Sequence, residues 1–283
     1  MIDSSLSLSD RVAIVTGGGA GIGRAIALAF AAAGAKLVIA DIEPVRCDEV
    51  CGAISASGGE ALAVPTDVTN SDQIRAMVDK SAAHFGRIDI LVNNAGGVSL
   101  KPFMDQSERS WHRHIDINFV SVLAATQAVV PIMIAGGCGG AIINVTSIEA
   151  SRAAPYAAVY AASKAAVENF TRTMALELAE HNIRMNCLAP DYTVTPGLRG
   201  NIKGPVDPSQ WYTPPAEQED ASRRRIPAGR TGEASECGDA ALFLASNMAS
   251  YVSGTVLRVD GGSWASSGWA RNKKGKWTLT PEI

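Results

Sequence analysis

No charge of one sign dominates this 283-residue chain: 25 Lys and Arg stand against 28 Asp and Glu, for a formal net charge of −3. Nucleic acid calls for a basic face and an anionic membrane surface for basic clusters, so neither is expected as a partner. Cysteine is sparse and scattered. Cys47, Cys51, Cys138, Cys187 and Cys237 are odd in number and show no framework spacing, which fits a reducing compartment. Cys47 and Cys51 stand four apart, but two thiols do not make a metal site and read better as small apolar residues. His84, His112, His114 and His181 form no cluster with carboxylates, and no metal is expected. Residues 1–10 lack the basic start and apolar core of a secretion signal. The longest apolar stretch is read at about 25–35, too short for a membrane span. The expectation is a cytoplasmic protein. The sequence shows no internal repeat and no low-complexity tract.

What is present is alternation. Apolar, β-branched runs at 12–16, 36–40, 61–65, 88–92, 141–145, 183–188 and 255–259 read as strands covered on both faces. Between them, 21–33, 44–57, 71–85, 108–134, 157–180 and 234–247 read as helices. This rhythm predicts an α/β, doubly wound parallel sheet of about seven strands with helices on both faces. Such a sheet binds its ligand at the carboxyl ends of the strands, where strand order reverses. One domain, 1–283, is expected. A Pro-rich excursion at about 191–229 and a tail at 264–283 with three Trp break the rhythm.

The first strand runs into Thr16-Gly17-Gly18-Gly19-Ala20-Gly21-Ile22-Gly23, and a helix follows at once. Glycines let the backbone turn tightly and approach a pyrophosphate, and the helix start offers unpaired N–H groups to that anion. Asp41 closes the second strand, twenty residues past Gly21. A carboxylate there accepts from the adenosine ribose hydroxyls of NAD and repels the 2′-phosphate of NADP. Ala20 is not basic, and Arg46 lies in the next helix, so NAD is the expected cofactor.

From about Arg11 to Gly262 the sequence resembles the short-chain dehydrogenase/reductase family, whose fold is of the Rossmann type. Gly17, Gly19, Gly21, Ile22 and Gly23 match its cofactor loop. Asp67 and Val68 resemble the pair that holds the adenine. Asn93-Asn94-Ala95-Gly96 resembles the segment that stabilises the sheet and lines the cofactor. Asn118, Ser147, Tyr160 and Lys164 match its catalytic tetrad, and Val259-Asp260-Gly261-Gly262 its usual last strand. Pro190 and Thr195 match a further cofactor segment, but Asp191 stands where the family usually has Gly, which adds a carboxylate near the nicotinamide end. The resemblance implies a homotetramer built partly through the helices that carry Asn118 and Tyr160.

The residues support the same chemistry. Moving hydride from an alcohol needs a base for the hydroxyl proton, and reduction needs the same group as an acid. Tyr160 and Lys164 stand four apart on one helix face, so the ammonium can favour the phenolate and lower the tyrosine pKa. Ser147, at a strand end, can hold the substrate oxygen as charge develops. By resemblance, Lys164 also holds the nicotinamide ribose, and Asn118 anchors a water in a proton relay behind it. The expected substrate is a secondary alcohol or ketone. The alternatives are a 3-oxoacyl thioester reductase and a non-catalytic dinucleotide sensor. Residues 192–225 are expected to form a mobile lid that sets specificity, with Trp211 and Tyr212 as its apolar wall. Arg223, Arg224 and Arg225 are read as mostly solvated, and His112 and His114 as surface or interface residues. Trp264, Trp269 and Trp277 are expected to pack on this subunit or a neighbour.

Overall fold

The structure is a computed structural model that describes residues 4–280. In chain order the elements are β1 Val12–Thr16, α1 Gly21–Ala32, β2 Lys36–Asp41, α2 Pro44–Ala56, β3 Ala61–Pro65, α3 Ser71–Phe85 and β4 Ile90–Asn93. There follow α4 Glu108–Ile115, α5 Ser121–Gly136, β5 Gly140–Val145, α6 Ala158–Glu177, β6 Ile183–Pro190, β7 Thr193–Val194, α7 Ala216–Arg225, β8 Gly232–Glu233, α8 Ala234–Ala245 and β9 Val256–Val259. A short antiparallel hairpin, β10 Ala270–Arg271 and β11 Trp277–Thr278, closes the described chain.

Seven strands pair in parallel in the order β3-β2-β1-β4-β5-β6-β9. Strand order reverses between β1 and β4, which opens the crevice at their carboxyl ends. The continuous apolar runs have the predicted cause, because the sheet is covered on both faces. Ile26, Phe30, Val50, Ile54, Ala241 and Leu244 build one core from α1, α2 and α8. Ile74, Met77, Val129, Met133 and Ala175 build the other from α3, α5 and α6. Boundaries follow local chemistry: the Asn70 side chain caps α3 by accepting from the amides of Asp72 and Gln73, and Gly86 ends that helix in the left-handed region.

Three expectations are corrected. The stretch read as one helix at 108–134 is α4 and α5 joined through a π-helical turn, Asp116–Val120. That rod, Glu108–Gly136, rather than the run at 25–35, is the long apolar helix among the described residues, and by length and composition alone it could cross a membrane. Here one face of it packs on α3 and β4, while Ile115, Val120 and Ile134 stay exposed. His114 is not a surface residue but is buried. The excursion at 191–229 also contains a ten-residue helix, α7, in its Pro-free part.

At the crevice, β1 and β4 are tied together by one hydroxyl. Thr16 Oγ1 donates to Val92 O and accepts from the amides of Asn94 (3.0 Å) and Ala95 (3.1 Å). Thr16→Val keeps the β-branched shape and strands two amides in a buried place. It is expected to cost about 2 kcal/mol in urea unfolding, against less than about 1 kcal/mol for Thr16→Ser. Equal midpoints for the two variants would contradict this role.

Candidate active site

The glycine loop is shaped by contact. Gly17 takes φ +61°, and a Cβ on Gly23 would lie 2.1 Å from Gly17 O, so the first turn of α1 closes directly on the loop backbone. Asn94 Nδ2 donates to Thr16 O and Gly17 O and fixes the loop from β4. Helix α1 carries no side-chain cap and no acid in its first turn, so the amides near Gly21 and Ile22 face the crevice without an internal anion. Thr195 sits over Gly21, on the segment that leaves β6 after Pro190.

Asp41 is 8% exposed, and its Oδ2 accepts from the Gly19 amide at 3.0 Å while Oδ1 accepts from Glu43 N. The carboxylate therefore stands at the loop, as its spacing suggests. Arg46, set aside at first because it lies in α2, is buried beside Gly19. Its guanidinium donates to Gly204 O and Asn201 O, and Glu43 accepts from Gly204 N. Asp67 Oδ1 is taken up by the amide and hydroxyl of Thr69, and Val68 is buried in the second core. The residues present fit a dinucleotide: an uncapped helix start, a loop a Cβ would fill, and a carboxylate at the second strand's end.

Asn118 occupies the π turn. Its Nδ2 donates to His114 O (3.0 Å) and Gly97 O (2.9 Å), and its Oδ1 accepts from Gly97 N. The side chain thus takes up a carbonyl of the interrupted helix ladder and fixes the strand-to-helix loop after β4. His114 Nε2 accepts from Ser99 N and its Nδ1 lies 2.8 Å from Ser110 O, an arrangement that requires the neutral ring with hydrogen on Nδ1. A Cβ on Gly96 would fall 2.8 Å from Asn118 Oδ1 and 3.2 Å from Lys164 Nζ, so Gly96 keeps open the space between them.

Lys164 is buried, with Nζ donating to Val145 O at 2.9 Å and lying 5.9 Å from the Tyr160 ring centre. Burial lowers its pKa to about 8. Tyr160 moves upward, chiefly by burial; the Ser147 hydroxyl beside it pulls it down and the Glu149 carboxylate raises it again. Ser147, just past β5, accepts from Glu149 N and starts a short 3₁₀ turn. The fold therefore brings Asn118, Ser147, Tyr160 and Lys164 to one end of β5, next to the glycine loop. The expectation that Lys164 lowers the tyrosine pKa gives way here to burial, which opposes the phenolate more strongly.

Sequence reasoning missed Glu149, Arg152 and the partners of Asp191. Arg152 makes a two-pronged ion pair with Glu149 and lies 3.6 Å from Asp191, and Arg225 lies 3.6 Å from the other Asp191 oxygen. Arg225 is thus not simply solvated, whereas Arg223 and Arg224 pair within α7. In the tail, Trp264 stacks on Arg258 (3.9 Å) and Trp277 on Arg271 (4.6 Å), each ring nearly half exposed, and β10 packs on α7.

A family model described as enoyl-(acyl carrier protein) reductase matches residues 17–263. The chain belongs to the short-chain dehydrogenase/reductase family, enzymes that move hydride between a CH–OH or carbonyl group and a nicotinamide dinucleotide. It is 39% identical to 7α-hydroxysteroid dehydrogenase of Escherichia coli (strain K12) over 91% of this chain and 96% of that one. A solved 7α-hydroxysteroid dehydrogenase complexed with NADH and 7-oxo glycochenodeoxycholic acid superposes with a TM-score of 0.83 at 38% identity, covering 93% of this chain and 98% of that one. A gluconate 5-dehydrogenase from Burkholderia cenocepacia, in complex with NADP and tartrate, gives 0.82 at 37% identity, covering 92% and 98%.

With Tyr160 as its acid, ketone reduction would need the neutral phenol and, beside it, the charged Lys164. The phenol is pushed upward and stays protonated past neutrality, whereas Lys164, lowered to about 8, is the first to leave its required form. The kcat/KM for reduction is therefore expected to be flat through neutral pH and to fall as pH rises through about 8. Lys164→Arg, which keeps its charge, should move that fall upward. Initial-rate pH profiles of the two proteins check it.

Proposed function

We propose that this chain is an NAD-preferring dehydrogenase or reductase of secondary alcohols and ketones, with Tyr160 as its general acid–base. The observation that carries this reading is the gathering of Ser147, Tyr160 and Lys164 at the end of β5, beside the uncapped start of α1. Bound nicotinamide supplies or accepts the hydride. Ser147 holds the substrate oxygen, and Tyr160 gives that oxygen its proton in reduction or takes it in oxidation. Lys164 bears on the ribose and on the phenol. Asn118 fixes the loop at Gly97 and anchors the relay behind Lys164.

Two features support NAD over NADP. The Asp41 carboxylate sits at the loop, where a 2′-phosphate would meet like charge, and Arg46, the nearby cation, is engaged by backbone carbonyls of 201 and 204. Gly17, Gly19, Gly21, Ile22, Gly23, Asp67, Val68, Asn94, Ala95, Gly96, Pro190 and Thr195 are proposed to line the cofactor. Residues 191–229 are proposed as a substrate lid on a single catalytic domain. The exposed Ile115, Val120 and Ile134 of the α4–α5 rod and Leu176 of α6 support a homotetramer built through these helices. The cysteines, all free thiols, suit a reducing, cytoplasmic setting.

Tyr160→Phe keeps the ring and removes the proton-carrying oxygen. It is expected to bind NAD nearly as the wild type does and to lose about 10²–10⁴-fold in kcat. Near wild-type turnover of a true substrate would overturn the assignment. For the cofactor, wild-type kcat/KM is expected to favour NAD over NADP by about 100-fold, since like charges in contact cost several kcal/mol. Asp41→Ala should narrow that ratio, and steady-state kinetics with both cofactors measures it.

A further inference from the structure

Asp191 follows β6 directly, and the registers set it close to Ser147. Val145 pairs with Leu188 and Thr146 N donates to Leu188 O, so Ser147 and Asp191 leave neighbouring strands at nearly the same level. The Asp191 side chain is 10% exposed, yet its buried Oδ2 accepts no hydrogen bond; its contacts are the two guanidiniums at 3.6 Å. Across from it, Arg152 donates to Ser263 O, and Ser263 Oγ is likewise buried without a hydrogen bond. Buried polar atoms are paired as a rule, so two unpaired ones around one arginine, beside the reacting end of the crevice, point to a polar group that completes them.

The charges decide what that group is. Arg152 and Arg225 are matched by Glu149 and Asp191, so the cluster offers no net attraction to an anion. A cation attracted by Asp191 would meet both guanidiniums. The remaining chemistry that satisfies a buried carboxylate oxygen is a neutral O–H or N–H donor, and in a secondary-alcohol enzyme the substrate supplies O–H. We propose that Asp191, with Ser263 beside it, forms a specificity subsite that takes a second hydroxyl of the substrate, so that diols and polyols are preferred over alcohols bearing a single hydroxyl. The inference rests on the reading of the chain as a secondary-alcohol enzyme and names its substrate class.

The test compares the 1,2-, 1,3- and 1,4-cyclohexanediols and a six-carbon polyol with cyclohexanol, with NAD as cofactor. Wild-type kcat/KM is expected to favour at least one diol or the polyol by about tenfold or more, the worth of a hydrogen bond to a charged acceptor. That ratio should fall to about one in Asp191→Gly and severalfold in Asp191→Asn, which keeps the side-chain volume should the glycine variant fold poorly. A ratio near one in the wild type, or one that neither variant changes, overturns the subsite. Calorimetric Kd values for the same compounds on Tyr160→Phe with saturating NAD separate the subsite from the chemistry. A preference in Kd that Asp191→Asn lowers severalfold supports the subsite even if the wild type turns over no alcohol, a result that would instead sink the proposed activity. Equal Kd values for diols and cyclohexanol sink the subsite alone.

Discussion

The Thr16 hydroxyl, buried where strand order reverses, is the contact on which the rest of the site depends. It accepts the amides of Asn94 and Ala95, and Asn94 returns two hydrogen bonds to the backbone of Thr16 and Gly17. The glycine loop and the segment after β4 are therefore one body. That segment continues to Gly97, which Asn118 grips from both sides, and Asn118 and Lys164 meet across the space Gly96 leaves. Lys164 in turn bonds the last residue of β5, Val145. A path of backbone and hydrogen bonds thus runs from the glycine loop to the end of β5 where Ser147, Tyr160 and Lys164 gather, with the buried Lys164 side chain as its one long link. Preorganisation of this kind keeps reacting groups within the small tolerances that catalysis needs.

Within that frame, burial sets the protonation states. The Tyr160 phenol moves upward and the Lys164 ammonium downward, both because a low-dielectric site disfavours charge. At neutral pH the phenol then keeps its proton, the state required of an acid in reduction. Lys164 keeps most of its charge, because about 8 still lies above neutrality. The helix spacing brings the two side chains together, but spacing carries no information about desolvation. Sequence reasoning could therefore name the pair and still misjudge the direction in which the phenol shifts.

What the sequence made legible is what local pattern encodes. The strands stand out because both sheet faces are covered and their runs stay apolar throughout. The glycine loop, Asp41 and the Tyr160–Lys164 pair stand out because their spacing is itself the chemistry. The π turn at Asp116–Val120 is invisible in that pattern: one extra residue in a turn leaves the apolar periodicity on either side intact. Helix α7 escapes for a different reason, since Ala216–Arg225 is polar all round and has no buried residue, so no apolar stripe marks it. The burial of His114 is hidden because one partner, Ser99, comes from the loop after β4, whose path the helix pattern does not carry. Arg152, Asp191 and Arg225 come from three separate stretches, and nothing short of the fold brings them together.

The segment 191–229 is held at both ends of the crevice. At the Asp41 end, Arg46 and Glu43 bind the backbone of 201 and 204. At the other end, Asp191 lies 3.6 Å from Arg152, and Thr195 lies over Gly21. Arg46 stands against Gly19, whose amide Asp41 engages, so the residues proposed to read the ribose are neighbours of those that seat the segment. On the proposed reading, cofactor choice and closure over the substrate would draw on the same few side chains. Freeing Arg46 to meet a 2′-phosphate would give up its bonds to 201 and 204. An Arg46 so turned would leave the backbone at 201 and 204 without the contacts that seat the segment against α2.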